Sequence, residues 1–297
     1  MKKYMVDFLD DFEFCQQAKE QLLKDYDRVI SSEKQNAFFN CITAYETGEI
    51  SYDDGIQSIQ EIAKTLNINV YSLALIYLIF LTKSLKIRYQ EQGISEETWR
   101  ETVADLKYKA LDCEGLYGVW GVNAFSWHKG FFELTKFGFG KLQFQLTNFN
   151  NEYAKNGLSL QKDSRVVYVH VPRTGGKLDY DEVQISYQKA KAFFKSRFAD
   201  IFETQPLVFV FRSWMLFEKH KDILAEQSNF MRFCNDYDVF ERGEYEDYSN
   251  AWRVFYCPYD GDISKLPQNT SLQKAYAEII QKGEKLGWGW GVYCPEF

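Results

Sequence analysis

His170 closes an apolar, β-branched run and is followed at once by Pro172, Arg173, Gly175, Gly176 and Lys177 in the stretch RVVYVHVPRTGGK, residues 165 to 177. An imidazole whose ordinary pKa is about 6.5 suits general-base work near neutral pH. The paired glycines let a backbone approach a ligand closely, and Arg173 and Lys177 bring positive charge beside it, a combination that suits an anion. Val166, Val167, Val169 and Val171 are too uniformly apolar for a strand with one wet face, so the segment reads as a central strand covered on both sides. His170 then sits at a strand's C-terminal end, where ligands meet an open α/β sheet.

Neither standard glycine motif accounts for the loop. A Walker A sequence ending at Gly176-Lys177 needs glycine where Val171 stands and Ser or Thr where Leu178 stands, and no G-x-G-x-x-G occurs here. Two readings of the loop stand: an anion site, or a helix start whose free amides are taken by Asp179 in a D-x-x-E box with Glu182. His170 likewise reads either as a hydrogen-bonded core residue or as a catalyst.

The next apolar run, Leu207 to Phe211, ends on Arg212, Ser213 and Trp214, so a second strand end presents polar residues at a corresponding place. An acyl-forming serine belongs in a G-x-S-x-G elbow, which Arg212 and Trp214 do not provide, so Ser213 reads as a hydrogen-bonding contact rather than a nucleophile. Trp214 and the GWGWG run at 287 to 291 read as aromatic packing with glycines relieving crowding, or as a binding surface. Ser228-Asn229 reads as a helix cap or a ligand contact.

The elements that position these residues fall into two halves. To about Leu111 the pattern is helical, with turn signals at Ser31-Ser32, Ser51 to Asp54, Asn67 to Asn69 and Gly93 to Ser95. The glycines of GLYGVWG, 115 to 121, predict a boundary between an all-helical domain at 1–121 and a second domain at 122–297. Beyond it Leu142, Phe144 and Leu146 alternate with polar residues as in a half-buried strand. Further strands are expected at 165–171, 207–214, 251–257 and 287–293. Helices are expected at 180–198, at 217–236 with a break near Ser228, and at 270–283, the last opened by a Thr270/Gln273 capping box. The fold class expected is α+β.

Composition narrows the partners. With 297 residues, 45% apolar and 26% charged, the chain is an ordinary globular one, and a net charge of -7 disfavours nucleic acid and anionic membrane. The longest apolar run, Val70 to Leu81, is well short of the ~20 residues that cross a bilayer, so no membrane partner is expected and the location reads as cytoplasmic. Scattered cysteines without a C-x-x-C pair, and histidines without H-E-x-x-H spacing, point to neither disulfides nor a metal.

The runs GKLQFQL (140–146), YVHVP (168–172), Ser186 to Phe194 with its S-x-x-x-A-x-x-F-F spacing, SWML (213–216), SNFMRF (228–233) and LPQNTSLQ (266–273) resemble, in order, a bacterial family of acyltransferase-domain proteins. In that family a helical N-acyltransferase N-terminal domain precedes a GNAT-like C-terminal domain with a mixed sheet. The resemblance implies that acyl-CoA lies between two splayed parallel strands, here 165–171 and 207–214. Its pantetheine would pair along the backbone at Val169 and Val171, and its pyrophosphate would lie by Arg173, Gly175, Gly176 and Lys177. An amine of a small molecule or peptide, contacted by Ser213, Trp214 and Asn229, would attack the thioester directly, with His170 as base and no metal. The chain departs from the usual GNAT pattern in lacking Q/R-x-x-G-x-G/A. It also has Gln145 where an acid is common in the family's corresponding strand. A non-catalytic module with an aromatic groove for a metabolite, sugar or peptide is the alternative, and a hydrolase using Ser213 or a cysteine a third.

Overall fold

The computed structural model describes residues 1–155, 157–173 and 178–295. Its contacts divide the chain into two units, one of Met1–Gly138 with Arg173, the other of Phe139–Pro172 with the C-terminal remainder.

Helices α1 (Lys2–Asp11), α2 (Gln16–Ile30), α3 (Gln35–Glu46), α4 (Tyr52–Leu66), α5 (Val70–Glu91), α6 (Glu96–Val103), α7 (Asp105–Tyr117) and the single turn α8 (Lys129–Phe132) build the first unit. The helix that opens at Val70 continues past Leu81 to Glu91, and it is long and apolar enough to cross a membrane by length and composition. Within the unit it is a core helix, every side chain from Ser72 to Thr82 being buried. Two of its buried hydroxyls find partners: Ser72 Oγ donates to Asp25 Oδ2 at 2.6 Å, and Thr82 Oγ1 lies 2.7 Å from Tyr4 Oη. The expected N-caps form at Ser51, which completes a capping box with Asp54, and at Ser95.

The first unit runs on past Gly121 to Gly138. The glycines do end α7, with Gly118 in the left-handed region at φ 66. The chain after them nevertheless stays bound to the helices: Val122 N–H donates to the Tyr71 carbonyl at 3.0 Å and Tyr52 Oη to the Phe125 carbonyl at 2.8 Å. Gly138 N–H donates to Thr102 Oγ1 at 2.8 Å. A glycine cluster marks the end of a helix, and tertiary hydrogen bonds decide where a unit ends.

The second unit carries a sheet of β1 (Lys136–Phe139), β2 (Leu142–Asn148), β5 (Arg165–His170), β6 (Phe209–Ser213), β8 (Gly287–Tyr293) and β7 (Asp238–Glu244), in that spatial order; the division between units falls within β1. A separate hairpin pairs β3 (Tyr153–Lys155) with β4 (Leu158–Leu160). β5 and β6 are parallel, joined by a crossover through α9 (Tyr180–Arg197) and the turn α10 (Ala199–Phe202), whereas β2 with β5, β6 with β8 and β7 with β8 are antiparallel. Then come the turn α11 (His220–Ile223), α12 (Asn229–Asn235), the turn α13 (Trp252–Phe255) and α14 (Ser271–Gln281).

Residues 251–257 are not a strand. They form a 3-10 turn, Ser249–Ala251, running into α13, because Ala251, Val254 and Phe255 are buried at i, i+3 and i+4. The expected capping box of α14 is present between Thr270 and Gln273, and Ser228 caps α12 at the expected break.

One face of the sheet packs on α9, with the Phe144, Tyr187 and Phe209 rings 4.9–5.7 Å apart. The other face buries Phe149, Val166, Val208, Val210, Trp290 and Val292 with the β3–β4 hairpin residues Tyr153, Leu158 and Leu160.

Candidate active site

The site is built on an interruption of the sheet. β5 and β6 pair at Val167↔Phe209 and Tyr168↔Val210, with Val167 N–H donating to the Val208 carbonyl at 2.9 Å. Both strands run on, to His170 and to Ser213, with no further pairing between them among the described residues. Each is held from its other side: β5 by β2, with Gln143↔His170 as the last pair, and β6 by β8, as far as Ser213↔Gly289. The parallel neighbours therefore diverge at their C-terminal ends while remaining anchored in the sheet.

Period-two alternation places Gln143, Gln145, Tyr168 and His170 on one face, and the register continues that face through Val210, Arg212, Trp288 and Trp290. The contacts along this row are specific. His170 Nε2 lies 3.2 Å from Gln145 Oε1, and the His170 and Tyr168 rings are 4.9 Å apart. The Tyr168 hydroxyl donates to the Arg212 carbonyl at 3.0 Å and accepts the Arg212 N–H at 3.2 Å. Burial raises the Tyr168 pKa, so this hydroxyl is protonated at neutral pH, although the Arg212 contacts pull the other way. The exposed Arg212 guanidinium stacks 3.8 Å over the Trp288 ring and 5.7 Å from that of Trp290.

Gln145 Oε1 can only accept, so His170 donates to it from Nε2. The row thus offers a proton acceptor, a protonated phenol and an oriented cation beside a gap between strands, a set suited to receiving a polar substrate and removing a proton from it.

The remaining residues expected from the sequence lie as follows. Val169 is buried within β5 and Val171 is half-buried just beyond it, both past the last β5–β6 pair on the side facing the gap. Arg173 groups with the first unit, where its Nη1 lies 3.6 Å from the buried Asp112 Oδ1. Gly175, Gly176 and Lys177 lie outside the described residues. Asp179 caps α9 by accepting the Asp181 and Glu182 amides, while Glu182 pairs with Lys141 at 3.0 Å. Ser213 Oγ accepts the Met215 N–H at 3.2 Å and so caps the turn Trp214–Leu216.

Trp214 packs against His220, Phe230 and Tyr276 at 5.9–6.1 Å, as part of an aromatic cluster. Asn229 opens α12. The row therefore brings His170 together with Tyr168, Gln145, Arg212 and Trp288, whereas Ser213 and Trp214 serve the turn and the core. Gln145 was already marked by the sequence as standing where an acid is common, and Tyr168 could have been found from the alternation of its strand, since it lies two residues from His170 on the same face.

His220 is a second histidine of this unit and a different kind of residue. It is almost wholly buried, with Nδ1 3.0 Å from the Met215 carbonyl and Nε2 2.8 Å from Tyr276 Oη. A carbonyl can only accept, so Nδ1 carries the hydrogen and Nε2 accepts from the tyrosine. Burial lowers its pKa to about 4 against a smaller opposing effect of the Met215 carbonyl, and the ring is neutral at pH 7.

Several solved structures similar to this chain are of acyltransferases. The chain superimposes on an acyltransferase in complex with decanoyl-CoA with a TM-score of 0.60 and 26% identity. That match covers 74% of this chain and 66% of the other, so this chain spans just under two thirds of that relative's length. An acyltransferase in complex with decanoyl-CoA and teicoplanin matches with a TM-score of 0.71 and 21% identity, over 97% of this chain and 87% of the other. One in complex with CoA and 10C-teicoplanin gives 0.70 and 18% over the same shares. At those identities the last two establish a shared fold. No curated protein matches the chain.

Residues 4–134 match the N-acyltransferase N-terminal domain and residues 137–293 the GNAT-like C-terminal domain, in that order. The chain belongs to the family that joins an N-acyltransferase N-terminal domain to a GNAT-like C-terminal domain.

Proposed function

We propose that the chain transfers an acyl group from acyl-CoA to an amine of a small molecule or peptide, with the donor lying in the gap between β5 and β6. The observation that carries this reading is the end of β5–β6 pairing at Tyr168↔Val210 beside His170. The register directs the Val169 carbonyl and the Val171 amide into that gap, so an extended amide chain such as pantetheine can pair with β5 as a missing strand would. Support comes from similar structures that hold decanoyl-CoA or CoA, one of them together with teicoplanin and one with 10C-teicoplanin. An acyl-CoA donor also fits the cytoplasmic location expected from the sequence.

In the reaction, the acceptor amine, having shed any ammonium proton to solvent, attacks the thioester carbonyl carbon with its nitrogen lone pair and the C–N bond forms. His170 takes the proton that the nitrogen must then lose, and the C–S bond breaks with its electron pair leaving on CoA sulfur. That proton passes from His170 to the thiolate or to solvent. No covalent bond to the protein is needed, in keeping with Ser213 being committed to its turn.

Binding is tested by thermal unfolding with acetyl-, octanoyl- and decanoyl-CoA, since a ligand of the native state alone stabilises it by about 2.7 kcal/mol at 100 times its Kd. An unchanged Tm with all three donors at millimolar concentration would sink the reading. His170→Ala is expected to keep the Tm shift and lose turnover by about 100-fold or more, as for a general base. Retained turnover would remove His170 from the mechanism.

A further inference from the structure

We propose that Tyr168 is a positioning residue that holds the gap between β5 and β6 open on one side only, so that a ligand chain pairs with β5 and not with β6. The inference rests on the donor site proposed above and concerns how that site is kept available. If the parallel ladder continued, the register would put Val169 opposite Phe211 and send the Arg212 N–H to the Val169 carbonyl. That bond is not made. The Arg212 N–H goes instead to the Tyr168 hydroxyl at 3.2 Å, and the Arg212 carbonyl accepts from the same hydroxyl at 3.0 Å.

One side chain of β5 thereby satisfies both inward-facing backbone groups of β6 at the point where pairing stops. Two edges that would otherwise be complementary are made unequal. The β6 edge is saturated at Arg212, so it has no reason to close on β5 and nothing to offer an entering amide. The β5 edge keeps the Val169 carbonyl and the Val171 amide facing the gap.

A phenol suits this task because it donates and accepts at one oxygen, and its length spans the widened separation of the strands. The ring is held by the His170 ring 4.9 Å away and by packing with the cluster of Phe149, Val166, Val210 and Trp290. Its position is therefore set by the sheet face, independently of any ligand. Tyr168→Phe keeps the ring and removes both hydrogen bonds, leaving the Arg212 amide and carbonyl to seek the Val169 edge or the ligand.

The test combines residue-resolved amide exchange on the full chain with affinity measurements. In the free protein the Arg212 amide should exchange roughly tenfold faster in Tyr168→Phe than in wild type, the scale expected from losing one such bond, while the Val210 amide changes less than about twofold. Adding CoA to wild type should protect the Val171 amide and leave Arg212 unchanged. The Kd for CoA should weaken about tenfold in Tyr168→Phe, whereas that for adenosine 3′,5′-bisphosphate, which lacks pantetheine, stays within about twofold.

An Arg212 amide indifferent to the substitution, or equal loss of both ligands, overturns the inference. CoA protecting Arg212 and not Val171 overturns it as well, and that arm needs no variant. If wild type binds no CoA, the donor reading fails, and the exchange rate of Arg212 in the free protein still decides the role of Tyr168.

Discussion

Gln145 meets His170 at 3.2 Å across the β2–β5 pair, Oε1 facing Nε2, and it does so as a neutral amide. An amide fixes which ring nitrogen carries hydrogen without adding charge. A carboxylate in that place would favour the imidazolium form of the ring and make it a poorer base near neutrality. Gln145→Glu is therefore expected to move the acidic limb of the pH–rate profile up by about one unit, while Gln145→Leu lowers the rate without moving the limb. Superimposable profiles for wild type and Gln145→Glu would mean that His170 is not the titrating base.

His220 links stability to acid. Its native pKa is about 4, against an ordinary 6.5, because burial disfavours the cation. Below about 6.5 the unfolded chain takes up a proton that the folded chain refuses until about 4, so native stability falls across that window by about 3 kcal/mol on this account. His220→Leu abolishes this uptake. Its stability deficit at pH 7, from the orphaned Tyr276 and Met215 groups, should shrink on going to pH 4.5. Denaturant unfolding of both proteins at the two pH values measures this, and a deficit that stays constant contradicts it.

Lys136 gives the opposite window. Its ammonium donates to the Trp127 carbonyl at 2.6 Å and lies 3.9 Å over the Trp127 ring, and burial brings its pKa down to about 8, with Asp105 opposing and Lys109 assisting. Between about 8 and 10.5 the unfolded chain keeps a proton that the folded chain has lost, so stability gains with rising pH there. Lys136→Met should remove that gain, seen as a stability difference from wild type that moves against wild type at pH 7 relative to pH 9.5. A difference independent of pH would show that the lysine's charge is not strained by the fold.

Gly289 admits no side chain. A Cβ there would stand 2.6 Å from the Leu216 carbonyl oxygen and 2.8 Å from Leu216 Cβ, where backbone cannot give way cheaply. Gly289→Ala should cost about 1–3 kcal/mol, as overpacking does. Because β8 also carries Trp288 beneath Arg212, acyl-CoA affinity is expected to fall with it. Unfolding in urea gives the first quantity, and a midpoint equal to wild type would refute the packing account.

The sequence alone determined the parts whose signals are local. Val166, Val167, Val169 and Val171 announced a buried strand, Thr270 with Gln273 announced the start of α14, and the helical half could be read from periodicity and turn signals. The two-domain family was legible from ordered motifs such as YVHVP and SWML. Short apolar runs misled where burial follows helical spacing, as at Ala251, Val254 and Phe255. The charged β7 and the small β3–β4 hairpin gave no pattern to read, because an edge strand such as β7, Asp238–Glu244, needs little apolar surface.

Only the tertiary structure decided which residues meet. Tyr168 and Arg212 are far apart in sequence, and nothing in either local pattern says that one hydroxyl will satisfy both backbone groups of the other. Trp214 and Ser213 looked like contacts and are committed to the core and a turn, because side-chain direction depends on where a strand ends. Local propensity fixes the conformation of a segment, whereas the divergence of β5 from β6 arises from each strand being held by a different partner, β2 on one side and β8 on the other. That competition exists only once the sheet is assembled.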